Sequence, residues 1–174
     1  IMDEKYGGGT STGRKPGFFH MGGQSGPIGF PEQLDTPYTY ETLAPKGLAV
    51  GSGAIVVLDD SVCIVEYIQK VFEFFVHELR KCTPCRLGTT RILELLTDFV
   101  EGRAKDGDVE RLEYMARQVS QLSACGLGQS VNVALMSALR HRRGDFEAHI
   151  NGGACPAGAC ACHENGRNKT CLTI

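Results

Sequence analysis

The 174-residue chain has no tryptophan, and aromatic residues make up only 7% of it. It has no basic cluster: 18 Lys and Arg are scattered among 20 Asp and Glu, for a net charge of −2. Nucleic acids and anionic membrane surfaces, which are gripped through dense basic patches, are therefore not the expected partners. It also lacks a membrane-spanning run. The longest apolar stretch, 62–79, is broken by Glu66, Gln69, Lys70, Glu73, His77 and Glu78, whereas a spanning helix needs about 18 or more nearly uncharged residues. No signal peptide is read at Ile1-Met2-Asp3-Glu4, and an opening on Ile1 looks like the interior of a longer product. No repeat, low-complexity run, catalytic triad or paired carboxylates stand out. The chain is 42% hydrophobic and 22% charged, a globular composition at about one domain's length.

What is abundant is glycine and cysteine, each in its own place. Twelve of the 22 glycines fall in the first 53 positions, a region that reads as loops, turns and short strands. Within it, 34–40 is one candidate extended piece. The β-branched run Ala54-Ile55-Val56-Val57-Leu58 is read as a strand buried on both faces.

From residue 61 to about 143 the apolar period becomes helical. Ser61 is a candidate N-cap, followed by Ile64, Ile68, Val71, Phe72, Phe75 and Leu79 at three- and four-residue steps. A second helix carries Ile92, Leu95, Leu96 and Phe99 and stops at Gly102. A third, capped by Asp108, carries Val109, Leu112, Met115, Ala116, Val119 and Leu122, and a fourth, capped by Ser130, carries Val131, Leu135, Ala138 and Leu139. Four amphipathic helices with short connections predict an up-and-down bundle. The expected class is α+β: a β-containing region over 1–60, a four-helix bundle over 61–146, and a Cys-rich tail over 147–174.

The bundle's cysteines lie in its connections. Cys82-Thr83-Pro84-Cys85 falls between helices one and two, and Cys125-Gly126-Leu127-Gly128 between three and four. In an up-and-down bundle those connections share one end, so Cys82, Cys85 and Cys125 are expected to converge. Three thiolates in turns rich in free N–H groups suit an iron–sulfur cluster or zinc. Two other readings stand beside this one. C-x-x-C also serves as a dithiol redox pair, although that site follows a strand rather than an apolar helix. Cysteine is also a common core residue, although turns between helices are a poor place to bury one.

Several segments, taken in order, resemble one family. Phe74-Phe75-Val76-His77-Glu78 followed by Cys82-Thr83-Pro84-Cys85-Arg86-Leu87-Gly88-Thr89 is similar to the cluster-binding signature of the NADH-binding, 51-kDa-type flavoprotein subunit of respiratory complex I. The same family occurs in NAD-reducing and electron-bifurcating hydrogenases and in NAD-dependent formate dehydrogenases. Gly22-Gly23-Gln24-Ser25-Gly26-Pro27, Leu34-Asp35-Thr36-Pro37, Gly51-Ser52-Gly53 and Ile55-Val56-Val57-Leu58-Asp59 continue the likeness. Cys125-Gly126-Leu127-Gly128-Gln129 matches the last cluster cysteine, and Phe146-Glu147-Ala148-His149-Ile150 with Cys155-Pro156-Ala157-Gly158 resembles the hydrogenase and formate-dehydrogenase branch.

The resemblance implies an SLBB-like, ubiquitin-like β portion before a bundle whose Cys82, Cys85 and Cys125 bind a [4Fe–4S] cluster. The family reads E-S-C-G-x-C-x-x-C at this point. Here Glu78 is followed by Leu79-Arg80-Lys81-Cys82, one residue shorter and without the first cysteine. His77, Glu78, an outside ligand or a [3Fe–4S] cluster are the alternatives for the missing thiolate. FMN and NAD(H) are expected in the complex but not on this chain. Gly7 to Lys15 reads as a flexible linker, and no flavin or nucleotide residue is assigned to it.

The tail reads Cys155-x4-Cys160-x-Cys162-x8-Cys171, with His149 before it and His163 within. That density favours zinc over disulfides in a cytoplasmic-type chain, and several four-ligand sets are open. The resemblance selects Cys63, His149, Cys155 and Cys160 as a structural zinc site; on helical spacing alone Cys63 is simply core. Cys162 and Cys171 stay unassigned. His141-Arg142-Arg143 reads as the solvated end of helix four, Phe72, Phe74 and Phe75 as core, Arg86 as a cluster-side cation or a surface ion pair, and His20 has no evident partner. The expected function is electron relay between a flavin/NAD(H) region and ferredoxin-like iron–sulfur subunits, in a cytoplasmic complex. A zinc-stabilised adaptor without a cluster and a thiol–disulfide oxidoreductase are the alternatives.

Overall fold

A strand of two aromatic faces ties the molecule together in the computed structural model, which describes residues 7–79 and 81–160. Strand β1 (Pro16–Met21) lies between β2 (Ile28–Gly29) and β3 (Ile55–Asp59), antiparallel to both. Side chains alternate across a strand, and β1 uses both faces. Phe18 joins the helical core and meets Tyr67 edge-on at 5.3 Å, whereas Phe19 and Met21 form a second small core with Leu43 and Leu48. β3 is paired on one side only, and its Val56 is 51% exposed. The expectation of a strand buried on both faces is thus corrected: the run is apolar because it backs a small sheet, and its outer face meets solvent. The candidate extended piece at 34–40 is likewise not a strand. A 3-10 turn (Pro31–Gln33) precedes it, and Thr39 caps the short helix α1 (Tyr40–Leu43).

Four long helices follow: α2 (Ile64–Glu78), α3 (Thr83–Val100), α4 (Asp108–Leu122) and, after the short α5 (Gly126–Ser130), α6 (Val133–Glu147). Their buried stripes interlock through Phe72, Phe75, Ile92, Leu96, Phe99, Leu112, Leu135 and Phe146, all fully enclosed. Fully burying one such side chain is worth ~1.5–3 kcal/mol, so these contacts rather than local propensity fix the helices.

The helix starts differ from those predicted, for one physical reason: the polar residue nearest each start is already engaged. Both the N–H and the hydroxyl of Ser61 donate to Asp59, and the cap position falls to Cys63. Asp108 accepts from the Lys105 amide, and the cap is Gly107, whose φ of 90° suits glycine. Ser130 donates to the Leu127 carbonyl inside α5, so α6 starts after Asn132.

Helix α6 also runs past the predicted end. At Arg142 its backbone departs from helical geometry (φ −135°, ψ 36°), which sets the guanidinium 4.7 Å over the Phe30 ring. Arg143 bonds Glu110, Glu113 and Glu147. These residues clamp the bundle rather than fringe it. Leu122 and Phe74, assigned to the core, are 62% and 42% exposed. Ser137 accepts from the Ile28 amide and donates to the Ala134 carbonyl, fastening β2 to α6. No helix among the described residues is long and apolar enough to cross a membrane.

Candidate metal centres

Each end of α2 leads to a group of thiols. A 15-residue helix is about 22 Å long, so the two groups are well apart.

At its start, Cys63 caps α2, and His149 follows the last turn of α6. Cys155 and Cys160 come from the segment after it, held by a turn in which the Gly158 amide donates to the Cys155 carbonyl. All four residues are buried, and their ligand atoms lie within 4.8 Å of one another. The Cys63 sulfur is 3.6 Å from His149 Nε2. Sulfur and nitrogen on one tetrahedral zinc stand about 3.6 Å apart, given Zn–S and Zn–N bonds of ~2.3 and ~2.0–2.1 Å. The histidine is in the tautomer a metal needs. Its Nδ1 lies 2.6 Å from the Asp145 carbonyl, which only accepts, so Nδ1 carries a hydrogen and Nε2 is the atom left to face the sulfurs.

Burial alone pulls the His149 imidazole down, but hydrogen bonds that the ring donates to Cys155 and Cys63 outweigh it and push it up to about 10, so a proton on Nε2 competes with a metal ion for that position. The Cys155 thiol is held below its ordinary value, chiefly by hydrogen bonding to Cys160 and then Cys63, while the same neighbours push Cys160 up. A buried donor set of three sulfurs and one imidazole fits a single structural zinc ion. Four ligand atoms this close leave no room for a cube of four irons.

At the other end of α2 the sequence expectation also meets its geometry. Cys82 caps α3, Cys85 sits in its first turn, and Cys125 caps α5. Cys85 is buried and its thiol is raised, first by burial and then by the neighbouring Cys82 and Cys125. Cys82 and Cys125, more than 40 residues apart in sequence, are thus both close enough to Cys85 to act on its thiol. Cys82 is half-buried and its thiol lowered, because the backbone amides of Ala124 and Cys85 hydrogen-bond to its sulfur. The N-terminal end of α3 adds its positive dipole end. Gly128 is required here: a Cβ would lie 2.7 Å from the Ser123 side chain and 3.2 Å from the Cys85 sulfur. Cys125 is exposed, as are Leu127 and the two candidate fourth ligands His77 and Glu78.

Sequence reasoning missed one buried polar centre. His20 Nε2 lies 3.0 Å from the Gly26 carbonyl and so donates, leaving Nδ1 to accept from the Tyr67 hydroxyl at 2.8 Å. Its only signal is the period-2 alternation of β1, in a stretch whose glycines and prolines read as loop. Cys162, His163 and Cys171 lie outside the described residues.

A bundle with amide-lined thiol turns at one end defines an iron–sulfur-binding module. Residues 66–149 match the family described as the NADH-ubiquinone oxidoreductase-F iron–sulfur binding region, whose cluster is of the [4Fe–4S] type. It is 37% identical over 155 residues to the F 2 subunit of the NADH-quinone oxidoreductase of Rhizobium meliloti (strain 1021), covering 88% of this chain and 37% of that protein. It is 33% identical over 155 residues to the NADP-reducing hydrogenase subunit HndC of Solidesulfovibrio fructosivorans, covering 88% of this chain and 32% of that one. The crystal structure of an NAD+-reducing [NiFe]-hydrogenase in the H2-reduced state superposes with a TM-score of 0.70 at 29% identity, over 79% of this chain and 24% of that chain. The chain thus spans about a third of the length of the curated relatives it matches.

Proposed function

We propose that this chain is the electron-relay part of a multisubunit NAD(H)-linked oxidoreductase. Cys82, Cys85 and Cys125 hold a [4Fe–4S] cluster that passes single electrons between a flavin/NAD(H) site, borne elsewhere in the complex, and further iron–sulfur centres on ferredoxin-like subunits. Cys63, His149, Cys155 and Cys160 hold zinc and anchor the tail to the bundle. The division follows 1–60, 61–146 and 147–174, and the complex works in the cytoplasm. On this reading the chain's own residues act as ligands, exclude water on one side, and set a potential through backbone amides that hydrogen-bond to sulfur.

The observation that supports this reading is that Cys82 and Cys125 both act on the buried Cys85, with backbone amides bonding the Cys82 sulfur at the start of α3. The test is iron, labile-sulfide and zinc analysis, with a visible spectrum, on anaerobically purified protein. The relay predicts brown protein with matched iron and sulfide and one zinc per chain. One reading competes on a specific observation, the lowered Cys82 beside a buried, raised Cys85, the asymmetry of a dithiol reductase. Colourless protein that reduces insulin disulfides sinks the relay in its favour, whereas colourless protein with zinc and no reductase activity leaves the adaptor.

A further inference from the structure

We infer that the thiol-lined end of this bundle supplies three cysteine ligands and no fourth, so that one iron of its cluster is held by a small ligand from outside the chain's cysteines. The inference rests on the relay reading and deepens it.

Iron–sulfur clusters of this type take four thiolates, commonly with C-x2-C-x2-C spacing. Two positions of that spacing are filled, by Cys82 and Cys85. The third, three residues before Cys82, is Leu79, which ends α2 with its side chain 6% exposed and packed into the core. An apolar anchor stands where the ligand would be. No other described cysteine is in reach: Cys63, Cys155 and Cys160 gather around His149 about 22 Å away, the length of α2. Cys162 follows Cys160 by two residues, which span at most ~7 Å. Only Cys171 has enough chain to return.

The end is also open to solvent. Cys125 is exposed, Cys82 half-buried and Leu127 46% exposed, so an incoming ligand meets no barrier there. Water or hydroxide, a small thiol or an imidazole are the ligand classes that suit such an iron. An iron without a thiolate is also the one lost on oxidation. The [4Fe–4S]2+ form releases Fe2+ to leave [3Fe–4S]0, which gives one electron to ferricyanide and becomes paramagnetic [3Fe–4S]+. Ferrous iron and one electron from dithionite reverse this.

The experiment uses the whole chain, purified anaerobically, with ferricyanide as oxidant and electron paramagnetic resonance as readout. The native chain is expected to release one iron per cluster, give a stoichiometric three-iron signal and recover with ferrous iron and dithionite. A small alkyl thiol is expected to shift the spectrum of the reduced cluster. Leu79→Cys is expected to suppress both responses, and Cys171→Ser to change neither. A native cluster that keeps all its iron and ignores the thiol overturns the inference, as does a labile iron created by Cys171→Ser. The thiol titration needs no variant, so misfolding of Leu79→Cys does not blunt the test. Protein without iron and sulfide would instead overturn the relay itself.

Discussion

The two ends of helix α2 place the same residue type in opposite surroundings. At the start, four ligand groups are buried and face one another, and the imidazole is locked in its ligating tautomer by a backbone carbonyl. At the far end, three cysteines stand at helix starts, the Cys82 sulfur accepts backbone amides, and exposure grades from buried Cys85 to exposed Cys125. A closed set leaves little for a substrate or an electron partner to approach and suits stabilisation, whereas an open set suits exchange with its surroundings. On the proposed reading, the contrast sets a structural centre against a functional one.

The sharpest way to break that contrast is to remove each centre in turn. Structural zinc contributes ~10–16 kcal/mol in zinc-finger peptides, against ~5–15 kcal/mol for a whole domain. His149→Ala, or a strong chelator, is therefore expected to abolish the cooperative thermal transition seen by circular dichroism. Cys125→Ser is expected to bleach the visible spectrum while moving unfolding free energy by no more than about 1 kcal/mol, because its side chain is exposed. If the serine variant unfolds and the alanine variant does not, the assignment of roles is reversed.

A smaller effect distinguishes two glycines of one turn. A Cβ at Gly128 collides with Ser123 and crowds the Cys85 sulfur, whereas one at Gly126 meets nothing within 4 Å. Gly128→Ala is expected to cost ~1–3 kcal/mol in denaturant unfolding, the usual range for overpacking, and to lower iron content. Gly126→Ala is expected to be neutral or stabilising by a few tenths of a kcal/mol. Equal effects would mean that the turn does not pack on the sulfur site.

Much of this is legible in the sequence because helices announce themselves by period. Ile64, Ile68, Val71, Phe72 and Phe75 sit where three- and four-residue steps place them, and alternate connections of an up-and-down bundle share an end whatever the side chains. The nearness of Cys82 and Cys125 to Cys85 is read that way. The caps are not, because a cap is decided by competition. Asp59 takes Ser61, Lys105 takes Asp108 and Leu127 takes Ser130, and no local pattern ranks those contacts. The sheet is harder still. Phe18 and Phe19 look like one apolar pair, yet they serve two different cores, and only long-range pairing with 55–59 shows it. The grouping of Cys63 with His149 spans 86 residues and is reached through resemblance, not spacing.

The two buried histidines restate the comparison at the scale of one proton. Both have a ring nitrogen committed to a backbone carbonyl: His149 Nδ1 to Asp145, His20 Nε2 to Gly26. What the second nitrogen meets decides the role, thiols in one case and the Tyr67 hydroxyl in the other. His20 is thus saturated as a neutral group, and burial holds its imidazole below the ordinary 6.5. A lowered folded-state value means that the unfolded chain binds the extra proton more readily. The stabilisation is complete above about pH 6.5 and is lost as pH falls below it toward the folded value. Denaturant unfolding at pH 7.5 and 5.5 is therefore expected to show a larger drop for the native chain than for His20→Gln, with metal content unchanged in both. Identical drops would show that His20 is charged in the folded protein, and a drop accompanied by loss of zinc would move the pH dependence to the His149 centre.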